Sequence, residues 1–389
     1  MKHRNLLMIP GPVEVDPEVL AALGMPPVSH VGADFIEVFG SALEQLRQVF
    51  LSTDGQPFIL AGSGTLAMDS AAANLIQPGD AALVVNTGYF SDRFAAILQR
   101  YGAQVTQVGA PPGDRPSLEQ VEAALQGAAF KCMTVTQVDT STGVLADVQG
   151  LAGLARRYDV LLIVDGVCSV GGEALNMSEW GVDVALTASQ KAIGCPPGLA
   201  LLVASPRAVA AFRARQLPVQ SYYADWNNWL PIMQSYEARK PAYFATPAVN
   251  LVAALNVSLK QILQEGMAAR VARHAALSRA CKAGIAALGL KQLPASSEIA
   301  AHTMTAPFYP AGVSGAEFLA QAAQAGVLLA GGLHPALRTQ YFRIGHIGAV
   351  TRADILATLA AVESALAAGG YPFDPGVSLS AAQRVGRGQ

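Results

Sequence analysis

Two neighbouring segments of the chain read Val160-Leu-Leu-Ile-Val-Asp-Gly-Val-Cys-Ser-Val-Gly-Gly172 and Leu186-Thr-Ala-Ser-Gln-Lys-Ala-Ile-Gly-Cys-Pro-Pro-Gly198. The first is an apolar strand that delivers Asp165 to a glycine-bearing turn, and the second places Lys191 just past the next strand. A lysine can form a Schiff base with the aldehyde of pyridoxal 5'-phosphate (PLP), and a carboxylate can keep the pyridine nitrogen of that cofactor protonated. The pair therefore predicts a PLP enzyme.

Around this pair, short apolar runs alternate with helical patterns from about residue 57 to residue 205. This alternation is typical of an α/β fold with a parallel sheet and crossover helices, and the near-continuous Val, Ile and Leu fit strands buried on both faces. The predicted strands are 57–60, 81–86, 132–137, 160–164, 182–187 and 199–203. The predicted helices between them are 91–101, 118–125 and 148–157.

At 389 residues the chain is too long for one compact core and predicts two domains. We assign residues 1–250, with an N-terminal arm, to a large cofactor-binding domain and residues 251–375 to a smaller α/β domain. A long helix from 248 to 265 leads into the smaller domain, which we expect to contain strands near 304–309 and 341–344 and a closing helix at 352–367. Residues 376–389 are expected to form a loose tail.

Composition excludes several classes of function. The formal net charge is −2 and there are no basic runs, which argues against nucleic acid or an anionic membrane surface as the main partner. The N-terminal apolar stretch stops at Pro10, too early for a signal peptide or a membrane span. The four cysteines lack metal-ligand spacing, so we expect no metal site and reduced thiols in a cytoplasmic protein.

The run Gly62-Ser-Gly-Thr-Leu-Ala67 follows a strand and opens a helix. Backbone N–H groups at a helix N-terminus, together with the hydroxyls of Ser63 and Thr65, form a site suited to a phosphate. The same run matches a dinucleotide-binding fingerprint, which expects an acidic residue at the end of the second strand. Here that strand ends in Asn86, so the dinucleotide interpretation is the weaker one; a plain tight turn is the structural alternative.

Two further strand ends offer polar or aromatic side chains. Phe90, beyond the second strand, can stack on a pyridine ring, although an ordinary core phenylalanine is about as consistent with the local sequence. Thr140, after the third strand, can bond the cofactor edge or can belong to a polar turn, and Asp165 can be a turn carboxylate. The cofactor interpretation is favoured because several strand ends of one open sheet converge on a single crevice.

With these motifs in place, the chain resembles the class V aminotransferases of PLP fold type I, most closely the alanine–glyoxylate aminotransferases. The resemblance runs nearly end to end, to about Tyr371, and rests on these segments: Ile9-Pro-Gly-Pro12, Ala61-Gly-Ser-Gly-Thr65, Thr87-Gly-Tyr-Phe-Ser-Asp-Arg93, Asp139-Thr-Ser-Thr-Gly143, Val164-Asp-Gly-Val-Cys-Ser169, Thr187-Ala-Ser-Gln-Lys191, Tyr243-Phe-Ala-Thr246 and Phe342-Arg-Ile-Gly-His-Ile-Gly348. It implies a large domain with a mostly parallel, seven-stranded sheet between helices and a smaller C-terminal α/β domain.

The resemblance also implies roles. Lys191 would be the Schiff-base lysine and proton shuttle, Asp165 the pyridinium partner, and Phe90 the stacking ring, where some relatives carry tryptophan. Arg343 would clamp the α-carboxylate of the substrate, and Gly11 would also contact substrate. The remaining cofactor contacts implied are Ser63, Gly64, Thr65, Thr140 and Gln190, with Tyr243 and Thr246 reaching the phosphate from the neighbouring subunit of a homodimer.

The implied reaction moves an amino group from alanine to glyoxylate with ping-pong kinetics. Serine–pyruvate or serine–glyoxylate and pyridoxamine–pyruvate aminotransferases are alternatives within the same fold. A cysteine desulfurase would need a nucleophilic cysteine on a mobile loop late in the chain, where only Cys281 occurs, inside a helical pattern. A non-enzymatic relative should have lost Lys191 or Asp165, and both are present.

Overall fold

The computed structural model describes residues 5–385. Its strands, in chain order, are β1 (Leu6–Leu7), β2 (Gln56–Ala61), β3 (Ala81–Asn86), β4 (Gln104–Gly109), β5 (Cys132–Thr136), β6 (Val138–Asp139), β7 (Val144–Leu145), β8 (Leu161–Asp165), β9 (Val184–Ala188), β10 (Leu199–Ala204), β11 (Met304–Thr305), β12 (Val327–Leu328), β13 (Ala330–Gly331) and β14 (Phe342–Gly345). Its helices are α1 (Pro17–Leu23), α2 (Ala33–Val49), α3 (Gly64–Leu75), α4 (Tyr89–Arg100), α5 (Leu118–Gly127), α6 (Val148–Arg157), α7 (Met177–Trp180), α8 (Pro206–Arg213), α9 (Trp226–Glu237), α10 (Val249–Glu265), α11 (Met267–Ala287), α12 (Gly315–Gln324), α13 (Arg352–Ala368) and α14 (Val377–Arg384).

Seven strands form the main sheet, in the order β2-β10-β9-β8-β5-β3-β4. The pairs from β9 to β4 are parallel, and β10 runs antiparallel to both of its neighbours, so β2 points in the same direction as β9. The predicted α/β fold with a mostly parallel sheet is confirmed, and each of the six predicted strands is present. The strand that was not predicted, β4, is an edge strand whose side chains are mostly exposed.

Local sequence fixes where the crossover helices begin. In α5, Ser117 and Gln120 form a reciprocal capping box, and Asp147 accepts the amide of Gly150 at the start of α6. These caps fix the residues at which the two helices begin. Strands β5, β8 and β9 are buried along their whole length because helices cover both faces of the sheet.

The core of the described residues divides into a large cluster around the main sheet, a smaller one formed by later segments, and a third that combines early, middle and late segments. The large cluster reaches Ile262, so α10 packs with the main sheet domain, mainly against α2. The smaller cluster contains side chains of α11, α12, β14 and α13, and also Met8 of the N-terminal segment. The exact division at residue 250 stays a prediction. Within residues 5–385, no helix is both long and apolar enough to cross a membrane.

The C-terminal segment differs from the loose tail that we expected. Residues 377–384 form α14, which packs against α11 and α13. The carboxylate of Glu363 holds the start of this helix, because its oxygens accept the amide of Gly376 at 2.8 Å and the amide and hydroxyl of Ser378 at 2.9 and 2.6 Å. The last part of the predicted tail, residues 386–389, lies outside the described residues.

Candidate active site

The predicted cofactor residues follow strands that end at one edge of the main sheet. Because parallel strands bring their carboxyl ends together, the segments after β2, β3, β5, β8 and β9 meet there, and β6, shortly after β5, leads into the turn that carries Thr140. They enclose a pocket of about 150 Å³. Eight of the predicted residues line it: Ser63, Gly64, Thr65, Phe90, Thr140, Asp165, Gln190 and Lys191.

Asp165 is buried at the end of β8. Its Oδ1 accepts the amide of Val167 at 3.0 Å, and its Oδ2 accepts the hydroxyl of Thr136 at 3.3 Å. Burial raises the pKa of Asp165 to about 6, and the negative charge of Asp139 adds to that rise. Two hydrogen bonds do not offset the cost of burying the negative charge of Asp165. A nearby cation would stabilise that charge, and a protonated pyridine nitrogen would provide one.

Lys191 reaches the pocket from the turn after β9. Its Nζ donates to the carbonyl of Pro10, and burial lowers the pKa of its ammonium group. Gly11 lies directly against it, since a Cβ at Gly11 would collide with Lys191 Cδ. The N-terminal segment therefore closes over the lysine. The contact of Gly11 with substrate stays a prediction.

The turn after β2 presents a helix N-terminus to the pocket. Ser63 is the N-cap residue of α3, yet its hydroxyl makes no capping hydrogen bond. Gly64 follows, where a Cβ would lie 2.6 Å from Val167 Cγ2. Since the hydroxyl and the first amides of α3 are left for another acceptor, the turn fits a phosphate. The strand before it, β2, is an edge strand, whereas a dinucleotide fold places this loop at its topological switch point.

A buried carboxylate orients Phe90. Asp139 Oδ2 accepts the amides of Phe90 at 2.9 Å and Ser91 at 3.3 Å, in the first turn of α4. Its Oδ1 accepts the amide and hydroxyl of Ser141 at 2.9 and 2.6 Å. The carboxylate thus ties the helix that carries the aromatic ring to the turn that carries Thr140, and its charge suits a helix N-terminus.

Arg343 projects from β14 beside this same turn. Its Nε donates to the carbonyl of Gly331 at 2.7 Å and its Nη1 to the carbonyl of Thr140 at 3.1 Å. Within residues 5–385, Nη2 makes no hydrogen bond, so Nη2 and the second proton of Nη1 remain for a carboxylate. The charge of Arg343 also contributes to the lowered pKa of Lys191, as expected for two cations facing one site.

Two predicted residues lie away from the pocket of this chain. Tyr243 is 64% exposed, with its ring centroid 5.2 Å from that of His30, and Thr246 is exposed nearby. Neither lines the pocket. Both residues lie on the surface, where they could contact the phosphate site of a second copy of the chain. That contact stays a prediction.

Three residues of the site were given no role from the sequence. Asp139 orients Phe90, as described above. Tyr341 is fully buried, and its hydroxyl donates to the carbonyl of Ser141 while it accepts the amides of Leu333 and His334. Arg93 lines the pocket one helical turn after Phe90. Of the three, only Arg93 could have been predicted from the sequence. It follows the proposed stacking ring, Phe90, by three residues, and residues at that spacing lie on the same face of a helix.

The groups around the pocket fit one cofactor. Lys191 can form a Schiff base with an aldehyde, and Asp165 can pair with a protonated pyridine nitrogen. The N-terminus of α3, together with Ser63, can bind a phosphate. A cysteine desulfurase would need Cys281 as a nucleophile on a mobile loop, but Cys281 is buried in helix α11. The geometry therefore favours amino-group chemistry with PLP.

Comparison with known proteins gives the same result. The family model for class-V aminotransferases matches residues 19–359. Alanine–glyoxylate aminotransferase 1 of Saccharomyces cerevisiae is 40% identical, covering 89% of this chain and 93% of the relative. L-aspartate–glyoxylate aminotransferase of Paracoccus denitrificans is 33% identical, covering 98% and 96%. The crystal structure of pyridoxamine–pyruvate aminotransferase from Mesorhizobium loti superposes with a TM-score of 0.93 at 28% identity, covering 98% and 97%.

The match extends over most of the chain, and the relatives are similar in length to it. The fold, the pocket and the relatives agree on the enzyme class and on its cofactor, pyridoxal phosphate. The chain belongs to the class V aminotransferases, PLP-dependent enzymes of fold type I.

Proposed function

We propose that this aminotransferase moves the amino group of alanine to glyoxylate, giving pyruvate and glycine. The observation that supports this choice most is the position of Arg343, whose guanidinium keeps N–H groups free beside Lys191 and is proposed to bind the α-carboxylate. The described cations that line the pocket are Lys191 and Arg93, and Arg93 is engaged with Thr65. Since Arg93 lies at the phosphate turn, a small monocarboxylic donor, which needs only Arg343, fits best. The yeast relative is also named for alanine and glyoxylate.

Each residue has a defined task in this proposal. Bound PLP supplies an electron sink for negative charge at the α-carbon of the substrate. Asp165 keeps the pyridine nitrogen protonated, and Arg343 holds the α-carboxylate. Lys191 takes the proton from the α-carbon through Nζ, for which it must be neutral, and its lowered pKa favours that form. The same Nζ would then hold this proton and be able to return it.

The alternative substrates make distinct demands. Aspartate, named for the Paracoccus relative, would need a second cation for its distal carboxylate. Serine would need only a small polar neighbour for its hydroxyl, so it remains the second choice of donor. Pyridoxamine, named for the Mesorhizobium structure, has no phosphate and would leave the N-terminus of α3 without an anion. Glyoxylate is the preferred acceptor because its product, glycine, has no Cβ to crowd the pocket.

Replacing Arg343 by glutamine tests the clamp. We expect kcat/KM for alanine to fall roughly 100-fold or more, because a charge-assisted bidentate contact is lost. PLP should remain bound, since the clamp lies apart from the phosphate turn. Steady-state assays with alanine, serine, aspartate and glutamate give the donor order.

The matched control for this test is Arg338→Gln, in an exposed position of the loop before β14, which should keep normal kinetics. If the wild-type enzyme has a higher kcat/KM for aspartate or glutamate than for alanine, our assignment of the donor is wrong.

We also propose a homodimer in which Tyr243 and Thr246 complete the phosphate site of the partner. The surface around Tyr243 supports this. Next to His30, the segment 25–31 exposes Met25, Val28 and Val31 at 62%, 52% and 45%. Such apolar exposure is typical of a surface covered in an assembly.

Mixing two defective variants tests the shared site. Lys191→Ala lacks the lysine, and a Tyr243→Phe, Thr246→Ala double variant lacks the donated hydroxyls. After subunit exchange at limiting PLP, we expect recovery of about a quarter of wild-type sites, because each mixed dimer has one intact site. No recovery despite proven exchange, or an active monomer by sedimentation, would contradict the proposal.

We infer a reducing compartment, the cytoplasm, for this enzyme. All four cysteines are free and buried. Thiols that persist unpaired are typical of cytosolic proteins.

A further inference from the structure

Arg93 is placed so that it contacts two elements of the cofactor pocket at once. It lies on α4 one turn after Phe90, and its guanidinium carbon is 4.8 Å from the centre of the Phe90 ring. Its Nη1 donates to the hydroxyl of Thr65 at 3.0 Å, on the turn that opens α3. One side chain thus connects the aromatic ring with the phosphate turn.

The guanidinium has no anionic partner in this position. In the described part of the chain, Arg93 forms no ion pair, and its other polar contact is a long one of 3.5 Å to the hydroxyl of Tyr89. The positive end of the α3 dipole lies beside it. Two separate sources of positive potential therefore act on the same end of the pocket, and both favour a bound anion.

The hydrogen bond to Thr65 has a fixed direction. A guanidinium can only donate, so the Thr65 oxygen accepts and the hydroxyl proton is free to point elsewhere. Thr65 lines the pocket, and its proton can be offered to an anion there. Arg93 therefore makes the Thr65 hydroxyl a hydrogen-bond donor toward the pocket.

The contact with Phe90 restricts how a flat ligand can lie. The guanidinium covers one face of the ring, and Tyr89 packs edge-on at 5.4 Å. An aromatic ligand can then stack only on the other face. Replacement of Arg93 would loosen the ring as well as remove a charge.

We propose that Arg93 is a positioning residue that makes this site select the phosphorylated cofactor over its unphosphorylated form. It does so by polarising the Thr65 hydroxyl and by adding positive charge at the phosphate end. The inference rests on the phosphate-binding role proposed for Thr65.

Equilibrium binding to cofactor-free protein tests this without reference to turnover. PLP and pyridoxal are titrated separately into wild-type protein, Arg93→Met and Arg93→Lys, and binding is followed by quenching of protein fluorescence. For Arg93→Met we expect the Kd for PLP to rise roughly 10- to 100-fold, as for loss of a hydrogen bond to a charged group. The Kd for pyridoxal should change only a few-fold. Arg93→Lys should recover part of the PLP affinity because it keeps the charge without the fork.

The control is Arg100→Met, in the last turn of the same helix, where the side chain is exposed and away from the pocket. Its binding of both ligands should match wild type, and melting curves of all variants verify folding. If wild type prefers PLP and Arg93→Met keeps that preference, or loses affinity for both ligands equally, the inference is overturned and the phosphate site stands. If wild type binds PLP and pyridoxal equally, the phosphate site and the inference fall together.

Discussion

The Lys191→Ala protein is expected to lose transamination by a factor on the order of 10⁴, because it lacks the group proposed to take the proton from the α-carbon. Lys191 is the lysine whose Nζ lies in the pocket and whose pKa is lowered by burial. Reduction with borohydride should attach the cofactor covalently to wild-type protein at Lys191 and should attach none to the variant. Peptide mapping by mass spectrometry locates the modified lysine.

The matched control is Lys260→Ala, which removes an exposed lysine of α10 and should leave both labelling and turnover unchanged. Covalent label on a different lysine of the wild-type protein, or ordinary activity in Lys191→Ala, would contradict the role of Lys191.

Asp165→Asn should preserve the fold and reduce the rate by about 10³-fold or more, because a neutral amide cannot hold the pyridine nitrogen in its protonated form. Asparagine keeps the shape of the side chain and can still accept the amide of Val167. The loss should therefore appear in kcat, with a smaller change in KM. A rate reduction of less than tenfold would count against the pairing of Asp165 with the cofactor.

The same substitution should stabilise the protein when PLP is absent. Burial raises the pKa of Asp165 to about 6, so the folded state binds this proton more tightly than the unfolded chain does. Its contribution to stability is therefore lost as pH rises from about 4 to about 6. At about pH 8, cofactor-free Asp165→Asn should be more stable than wild type by on the order of 2 kcal/mol, and near pH 4 the two should match. Thermal melts at both pH values measure this difference. An equal Tm for the two cofactor-free proteins at pH 8 would mean that the buried charge of Asp165 does not destabilise the fold.

The main sheet could be predicted because its strands are continuous apolar runs flanked by turns. The exception, β4, is half polar and lies at the sheet edge, where burial imposes no such pattern. Helix α2 was missed, although its buried residues, among them Phe35, Phe39 and Leu43, recur at helical spacing. Helix α14 was missed because the contact that holds it, from Glu363 to Ser378, involves a side chain in another helix.

The pocket could be predicted where its residues follow strand ends in short motifs, as for Asp165 and Lys191. Contacts between distant segments had no such local signal. The bond from Arg343 to Thr140 spans 203 positions, and the closure of Pro10 over Lys191 spans 181. These contacts form only when distant segments of the chain pack together. The sequence of one segment alone therefore does not predict them.

The half-reaction with alanine alone tests the account most directly. Purified enzyme loaded with PLP is mixed with alanine in the absence of any keto acid, pyruvate is quantified, and glyoxylate is added afterwards. We expect about one equivalent of pyruvate per subunit in the first step and about one equivalent of glycine only after glyoxylate is added. Formation of no pyruvate until glyoxylate is present, or of neither product with a fully loaded enzyme, would contradict the proposed transfer from alanine to glyoxylate.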